Sequence, residues 1–429
     1  MAKFTRELDE LVANGVITPE VAENIRGFYN KPGEGKSEGP NAVIIAFGII
    51  GALLVGMGIV LIIAHNWDTL STAMKLSVGL GPLLVSQIIA GFIVVKNIQS
   101  QAWREATGVI MIFAVATAIA IVSQVYNIHG NFARFLMVWA VLTLPVMYVL
   151  QSRIASLLFW MIATWYATEI GFGLFKHNYP VPYFWLLALA ATPFYIQLIR
   201  KNPEANSVSF HNWVIGGAIT MVLALGDYGE GSDLLIPAYI TLFSIFMLIG
   251  QLPVFANRRL INNAWLIGGS AGTIGLLLFL TFEWAELAGK PSAFWLSVPG
   301  IIWAGLFVIA SVLLYIVGTK NGFRNVLSKS YTFLVMLVLI VIGLQQPLVS
   351  RALTNVLLLA LGVYTIREGA MANKLWKMNY GLLILSILIA CRFFDTDMSF
   401  VIRGLLFVAI GAGFFATNFY MIRKRRIAS

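Results

Sequence analysis

Basic residues fall on alternate gaps between the apolar segments of this chain. We count fourteen apolar segments, and 22 of the 29 lysines and arginines lie before the first segment, in the even-numbered gaps or after the last segment. Cytoplasmic loops retain Lys and Arg because moving cations across an energised bilayer is unfavourable. The alternation therefore predicts an inner-membrane protein with both termini in the cytoplasm. The other seven basic residues occupy the odd-numbered gaps: Lys75, Arg134, Lys176, Lys290, Arg351, Arg392 and Arg403.

The composition excludes an ordinary soluble domain. Apolar residues make up 59% of the chain, charged residues 11%, and the mean hydropathy is +0.84. The net charge of +10 is concentrated on the predicted cytoplasmic side, where it faces anionic lipids. We therefore predict membrane lipids and not nucleic acid as partners. Cys391 is the only cysteine, which excludes a cysteine metal cluster, and the sequence predicts no cofactor, no metal and no catalytic residue.

Four parts are predicted along the chain. Residues 1–30 form a cytoplasmic helical hairpin, in which Gly15 ends the first helix and Thr18-Pro19-Glu20 begins the second. Residues 31–41 form a flexible linker, residues 42–422 the transmembrane domain and residues 423–429 a basic cytoplasmic tail. The hairpin is too small for a core of its own, so we expect it to dock on the membrane domain or on a protein partner.

The predicted fold class is all-α, a polytopic transmembrane bundle of about fourteen spans. The first span, 42–64, has enough residues to cross a hydrocarbon core of about 30 Å at about 1.5 Å per residue. The segment 213–225 is the weakest of the set, and its loss would invert the orientation of everything after it. The other spans are placed near 74–95, 107–125, 134–150, 154–174, 183–199, 213–225, 234–250, 264–282, 295–317, 331–345, 352–366, 379–394 and 400–422.

Four cations are predicted at helix N-termini on the outer face: Lys75, Arg134, Arg351 and Arg403. A helix N-terminus already carries unpaired N–H groups and a partial positive charge, so a cation there is unfavourable. Three explanations stay open. Carboxylates at the ends of the preceding spans form an ion-pair network with these cations, the cations extend to lipid phosphates, or an anionic ligand binds among them.

Glu169 is a single carboxylate late in an otherwise apolar span. An ionisable residue inside a membrane segment is a functional candidate. Here too two interpretations stay open: an ion pair with an outer cation such as Arg134, or a role in proton coupling.

Several motifs resemble the bacterial membrane family named domain of unknown function 2157 (DUF2157). They are Ala64-His-Asn-Trp-Asp68, Met74-Lys-Leu76, Ser123-Gln-Val-Tyr-Asn-Ile-His-Gly130, Arg392-Phe-Phe-Asp395 and Arg403-Gly-Leu-Leu. The resemblance implies a polytopic bacterial inner-membrane protein with a cytoplasmic hairpin, and it implies no activity. With the outer cations, it gives a candidate substrate-binding set on the predicted outer face: Lys75, Arg134, Arg351, Arg392, Arg403, His65, Asn66, Trp67, Asp68, Gln124 and His129.

Three functions follow from these patterns. The first is a transporter or flippase for an anionic substrate, lipid-linked or free, bound near the outer face, with Glu169 as the proton-coupling residue. The second is a non-catalytic scaffold or sensor that uses the N-terminal hairpin. The third is a membrane enzyme acting on a lipid at the outer face. We favour transport because so many spans exceed what a tether requires.

Overall fold

A computed structural model describes residues 11–30, 65, 67–172, 182–225, 235–282, 298–323, 325–326 and 347–395, with scattered positions between 401 and 419. The regular elements in these ranges are all helical, which confirms the all-α prediction. Short elements are one α-helical turn, Pro253–Ala256, and two 3₁₀ turns, Trp67–Thr69 and Leu260–Asn262. The main helices are α1 Pro19–Asn30, α2 Thr72–Val95, α3 Gln101–Val125, α4 Phe132–Leu150, α5 Arg153–Phe172, α6 Pro182–Lys201, α7 Asn206–Leu223, α8 Leu235–Gly250, α9 Ala264–Phe279, α10 Val298–Asn321, α11 Pro347–Met371 and α12 Leu375–Asp395.

The chain forms two compact units, residues 1–75 and residues 76–429. In the first unit, Gly15 has a φ of 68°, a left-handed conformation that suits glycine and ends the preceding helical residues. The hydroxyl of Thr18 accepts a hydrogen bond from the backbone N–H of Val21 at 3.4 Å. Thr18 is therefore the N-cap of α1, as its sequence pattern indicates.

Helices α2 to α12 coincide with eleven of the fourteen predicted segments. Six of them are long and apolar enough to cross a membrane: α2, α3, α4, α5, α10 and α12. Helices α8 and α9 are apolar but have only 16 residues each. The predicted spans 42–64 and 331–345 lie outside the described residues, as does most of 400–422. A multi-helix membrane fold is thus established, whereas the number fourteen stays a prediction.

Close helix packing in the second unit depends on glycine. A Cβ atom on Gly381 of α12 would lie 2.7 Å from the carbonyl oxygen of Gly362 on α11. A Cβ atom on Gly269 of α9 would lie 2.6 Å from the carbonyl oxygen of Phe243 on α8. Small residues let the helix backbones approach each other closely, as membrane helices require in the absence of a strong hydrophobic driving force.

Helix α7 begins earlier than the span predicted at 213–225. It starts at Asn206. The hydropathy pattern missed the first two turns because they bury polar side chains, which that pattern assigns to a connector. His211 and Asn212 are both fully buried. Both ring nitrogens of His211 and the side-chain oxygen of Asn212 form hydrogen bonds within the bundle, which offset part of the loss of water.

The connectors that carry the basic residues meet at one end of the second unit. Glu105 at the start of α3 accepts the backbone N–H of Arg153, the first residue of α5, at 3.0 Å. Helix α5 joins α7 through Ser156 and His211, and α7 accepts a hydrogen bond from Arg258 in the α8–α9 connector. We call this end of the second unit, where the basic connectors meet, the basic end. Its assignment to the cytoplasm stays a prediction.

Candidate functional site

The loop between α3 and α4 lies at the end of the bundle opposite the basic end. The hydroxyl of Ser123 donates to the carbonyl of Ile128 at 2.9 Å, and Asn127 adopts a left-handed conformation with a φ of 50°. The side-chain oxygen of Asn131 accepts the backbone N–H of Arg134 at 2.7 Å, which caps α4. These local bonds fix the short loop that presents the candidate polar side chains.

A groove of about 1170 Å³ begins at this loop and continues between α2, α3 and α4. Its loop end is polar and contains Gln124, His129 and Arg134, all three of them exposed. Along α4 the lining is apolar and consists of Phe135, Val138, Leu142 and Val146. We call this the α2–α4 groove.

The apolar part of the α2–α4 groove is long. Phe135 and Val146 are eleven residues apart on one face of α4, which corresponds to roughly 16 Å at about 1.5 Å per residue. Helix α2 contributes Gln87, an exposed amide in the middle of an apolar helix. The groove therefore combines a polar, cationic mouth with an apolar wall and one deep hydrogen-bonding group.

Arg134 is the positive charge at the mouth of the groove. Among the described residues its guanidinium forms no hydrogen bond or ion pair. It lies in the first turn of α4, where the helix dipole also contributes positive potential. An anion bound there would interact favourably with both the guanidinium and the dipole.

The other predicted site residues lie in the first unit, elsewhere in the second unit or outside the described residues. His65, Trp67, Asp68 and Lys75 belong to the first unit, in which the Lys75 ammonium lies 5.4 Å from the centre of the Trp67 ring. That distance is within the range of a cation–π interaction. Asn66 and Arg403 lie outside the described residues.

Arg392 and Arg351 also lie elsewhere in the second unit. The guanidinium of Arg392 near the end of α12 donates to the hydroxyl of Thr281 at 3.0 Å and lies 5.6 Å from the ring of Phe282. Arg351 is in the second turn of α11, and its carbonyl accepts from the amide of Asn355 at 2.9 Å. The structure therefore brings together Gln124, His129 and Arg134 from the predicted set, and it places these two arginines against other neighbours.

Glu169 is half-buried in the last turn of α5. It forms no ion pair with Arg134 in the described structure. One turn earlier, the ring of Trp165 packs edge-on against Phe132 at the start of α4, with 5.3 Å between ring centres. Glu169 thus lies at the same end of the bundle as the groove mouth, without lining it.

A buried polar network at the basic end was not anticipated from the sequence. The Nδ1 atom of His211 lies 2.7 Å from the carbonyl of Ser207, so Nδ1 carries the proton, and Nε2 lies 3.1 Å from the hydroxyl of Ser156. The hydroxyl of Tyr195 donates to the side-chain oxygen of Asn212 at 2.6 Å. The periodic spacing of Val208, His211 and Ile215 could have extended the predicted helix to include these residues.

Residues 9–156 match the family model described as Predicted membrane protein (DUF2157). This match confirms the resemblance to DUF2157. No curated protein and no solved structure matches the chain. The DUF2157 match includes the α3–α4 loop and every residue of the α2–α4 groove named above. The chain is therefore that of a membrane protein, and its candidate site lies within the region that resembles the family.

The described residues contain no group of three or more His, Cys, Asp and Glu side chains arranged to hold a metal ion. The residues that line the α2–α4 groove offer hydrogen bonding and charge attraction through Gln124, His129 and Arg134, together with apolar contact along α4.

Proposed function

We propose that this protein is a polytopic inner-membrane transporter or flippase, and that an anionic, lipid-linked substrate binds in the α2–α4 groove. The observation that carries the proposal is the change in polarity along the groove, from Arg134 and His129 at its mouth to a wall of apolar side chains about 16 Å long. An amphiphile with an acidic head group and an acyl chain has the same change in polarity along its length.

The polar mouth determines selectivity in this proposal. A lipid chain gains little by moving from the bilayer to an apolar groove, because lipid tails are as apolar as leucine. A phosphate or carboxylate head group gains charge-assisted hydrogen bonds from Arg134, which are stronger than bonds between neutral groups. Gln124 and His129 add donors beside it, and Gln87 offers a hydrogen-bonding group partway across the membrane.

The proposed topology has about fourteen spans with both termini in the cytoplasm. The basic end then faces the cytoplasm, as the positive-inside rule requires, and the groove mouth lies at the outer face. Glu169 is the proposed proton-coupling residue. Its position in α5, one turn from the contact of Trp165 with Phe132, links it to the start of α4, where the head group would bind.

Reconstitution into liposomes tests the proposal. The full-length protein is incorporated with fluorescent phosphatidylglycerol or fluorescent phosphatidylcholine, and movement between leaflets is followed by external chemical quenching. We expect faster movement of the anionic lipid, and a reduction of about tenfold in Arg134→Gln, since a hydrogen bond to a charged group contributes about 1.5–3 kcal/mol.

Arg200→Gln is the matched control, because Arg200 is an exposed arginine at the basic end, in the last turn of α6. It should transport like the wild type. Equal transport of both lipids, or full activity in Arg134→Gln, would contradict the proposal and leave the scaffold and enzyme alternatives.

Proton coupling is examined by imposing a pH gradient across the liposome membrane. The gradient should change the rate of lipid movement in the wild type and not in Glu169→Gln.

A further inference from the structure

The mouth of the α2–α4 groove carries more hydrogen-bonding groups than one acidic group uses. Among the described residues that line the groove, Arg134 is the only Lys, Arg, Asp or Glu. The neutral polar side chains of Gln124, Asn127, His129 and Asn131 line the same mouth. A phosphate or carboxylate is bound by parallel hydrogen bonds from one arginine, so the neutral groups indicate a second, uncharged part of the head group.

These neutral groups are available to a ligand. In the described part of the chain, the side chains of Gln124, Asn127 and His129 form no hydrogen bond, and the side chain of Asn131 uses only its oxygen, in the cap of α4. An amide and a neutral imidazole each offer an acceptor as well as a donor. An ionised phosphodiester only accepts, so it leaves these acceptors unused, whereas a hydroxyl group both donates and accepts.

Hydrogen bonds within the α3–α4 loop hold its polar side chains close to one another. The hydroxyl of Ser123 donates to the carbonyl of Ile128, and the N–H of Ile128 donates to the carbonyl of Ser123, both at 2.9 Å. Gln124 and His129 each follow one of these two bonded residues in sequence, so they are neighbours across the loop. The N–H of Asn127 donates to the carbonyl of Gln124 at 3.3 Å. One head group therefore reaches several of these side chains.

An aromatic ring lies beside the cation. Phe132 is in the first turn of α4 with Arg134, lines the groove and is 43% exposed. Its ring stacks on that of Phe135 with 5.8 Å between ring centres and 16° between ring planes, and Trp165 packs edge-on against it. The face of an aromatic ring is negative and attracts the C–H groups of a sugar-like ring, which carry a partial positive charge.

Other head groups match only part of this mouth. A quaternary ammonium group is attracted to an aromatic face, but Arg134 repels it. A head group that is a phosphate alone binds Arg134 and leaves the acceptors of Gln124 and Asn127 unused. An acidic group joined to a ring of hydroxyls uses the cation, the amides and the aromatic ring together.

We propose that the head group bound at the mouth of the α2–α4 groove is a polyhydroxylated ring, a sugar or a cyclitol, joined to an acidic group. Arg134 binds the acidic group, Gln124 and Asn127 bind the hydroxyls, and Phe132 contacts the C–H face of the ring. This inference rests on the proposed function, because it specifies the substrate of the same groove.

Two lipids that differ only in the ring test the inference. Dioctanoyl phosphatidylinositol and dioctanoyl phosphatidylmethanol have the same acyl chains, the same phosphodiester and the same charge, and only the first carries a ring of hydroxyls. Each is titrated into the full-length protein in detergent, and the affinity is measured by calorimetry. We expect phosphatidylinositol to bind about tenfold more tightly, because several modest hydrogen bonds between neutral groups act together.

The variants separate recognition of the ring from recognition of the charge. Gln124→Leu, at an exposed position, should weaken binding of phosphatidylinositol about three- to tenfold and leave binding of phosphatidylmethanol unchanged. Phe132→Leu keeps an apolar side chain, loses the aromatic face and should have the same selective effect. Arg134→Gln should weaken both lipids equally, because it removes the donor to the phosphodiester that they share.

Two matched controls remove the same side-chain types elsewhere. Gln99→Leu removes an exposed amide from the α2–α3 connector at the basic end, and Phe113→Leu removes an exposed ring from α3. Neither residue lines the groove. Both variants should bind the two lipids like the wild type.

The possible outcomes distinguish this inference from the proposed function. Equal affinity of the wild type for the two lipids, with weaker binding of both in Arg134→Gln, would overturn the inference and leave the proposed function standing. Binding of neither lipid, or binding unaffected by Arg134→Gln, would overturn both. If Phe132→Leu does not fold, Gln124→Leu decides, because an unchanged ratio of the two affinities would exclude recognition of the hydroxyls at the mouth.

Discussion

The carboxylate of Glu105 accepts the backbone N–H of Arg153 at 3.0 Å, so that a side chain at the start of α3 caps the N-terminus of α5. The same carboxylate accepts the N–H of Ile154 at 2.9 Å and a short hydrogen bond from the hydroxyl of Ser152. An anion at this position satisfies unpaired donors and interacts favourably with the helix dipole. The contact joins two connectors of the basic end that are almost fifty residues apart in sequence.

Replacing Glu105 with alanine should destabilise the bundle by about 1–3 kcal/mol, because the N-terminus of α5 loses its acceptor. Glu204→Ala is the matched control: Glu204 is an exposed carboxylate at the same end of the bundle, and its loss should change stability by less than about 0.5 kcal/mol. Thermal unfolding of the purified protein in detergent measures both. Equal melting temperatures for the two variants would show that the cap contributes nothing.

Substitutions of two histidines should have different effects, one on stability and the other on lipid transport. His211 is fully buried and bonded at both ring nitrogens, so His211→Ala should cost about 1–3 kcal/mol of stability. His129 is exposed at the groove mouth, so His129→Ala should leave the melting temperature unchanged and reduce movement of anionic lipid. Unfolding and lipid transport are measured on the same preparations. A melting temperature lowered equally in both variants would be inconsistent with their different burial.

The difference between these histidines shows which features the sequence determines. Gly15 and Thr18 were predictable because helix termination and capping are local properties of a few residues. His211 was placed in a connector because hydropathy treats a polar side chain as exposed, and only its partner Ser156 on α5 makes burial possible. That partner is 55 residues away. Gln124, His129 and Arg134 were grouped by the family resemblance and by the charge count that defined the outer face, and the structure places all three around the α3–α4 loop.

Glycine at the α11–α12 contact should be irreplaceable. Replacing glycine with alanine inside a helix normally stabilises the helix by about 1 kcal/mol. At Gly381, however, the added Cβ would lie 2.7 Å from the Gly362 carbonyl oxygen and 2.8 Å from the backbone nitrogen of Ile366. Neither backbone atom can move without displacing its helix, so the clash should outweigh the gain. The control is Gly305→Ala on α10, where a Cβ meets nothing within 4 Å and stability should rise slightly. Melting temperatures changing in the same direction would contradict this expectation.

The cap of α4 offers a way to change charge at the groove mouth while keeping the fold. Asn131→Asp retains a side-chain oxygen for the N–H of Arg134 and adds a negative charge at a helix N-terminus, which is stabilising. The melting temperature should therefore hold or rise. The new carboxylate would also compete with an anionic head group for Arg134, so movement of phosphatidylglycerol should fall.

Asn131→Ala gives the converse test of the cap. It should lower stability by about 1 kcal/mol and add no charge at the groove mouth. Undiminished phosphatidylglycerol transport in Asn131→Asp would count against a head group bound beside Arg134.

The sidedness of the two ends can be measured with single cysteines. Cys391 is the only cysteine, so a Cys391→Ser background allows cysteine to be introduced at His129 in the α3–α4 loop and at Arg259 in the α8–α9 connector. Both positions are exposed. If basic connectors face the cytoplasm, a membrane-impermeant thiol reagent added to intact cells should label His129→Cys only. Labelling of Arg259→Cys should require permeabilised cells. Labelling of Arg259→Cys alone would reverse the proposed orientation and place the basic end at the outer face. Labelling of both in intact cells would contradict the assignment of the two loops to opposite faces.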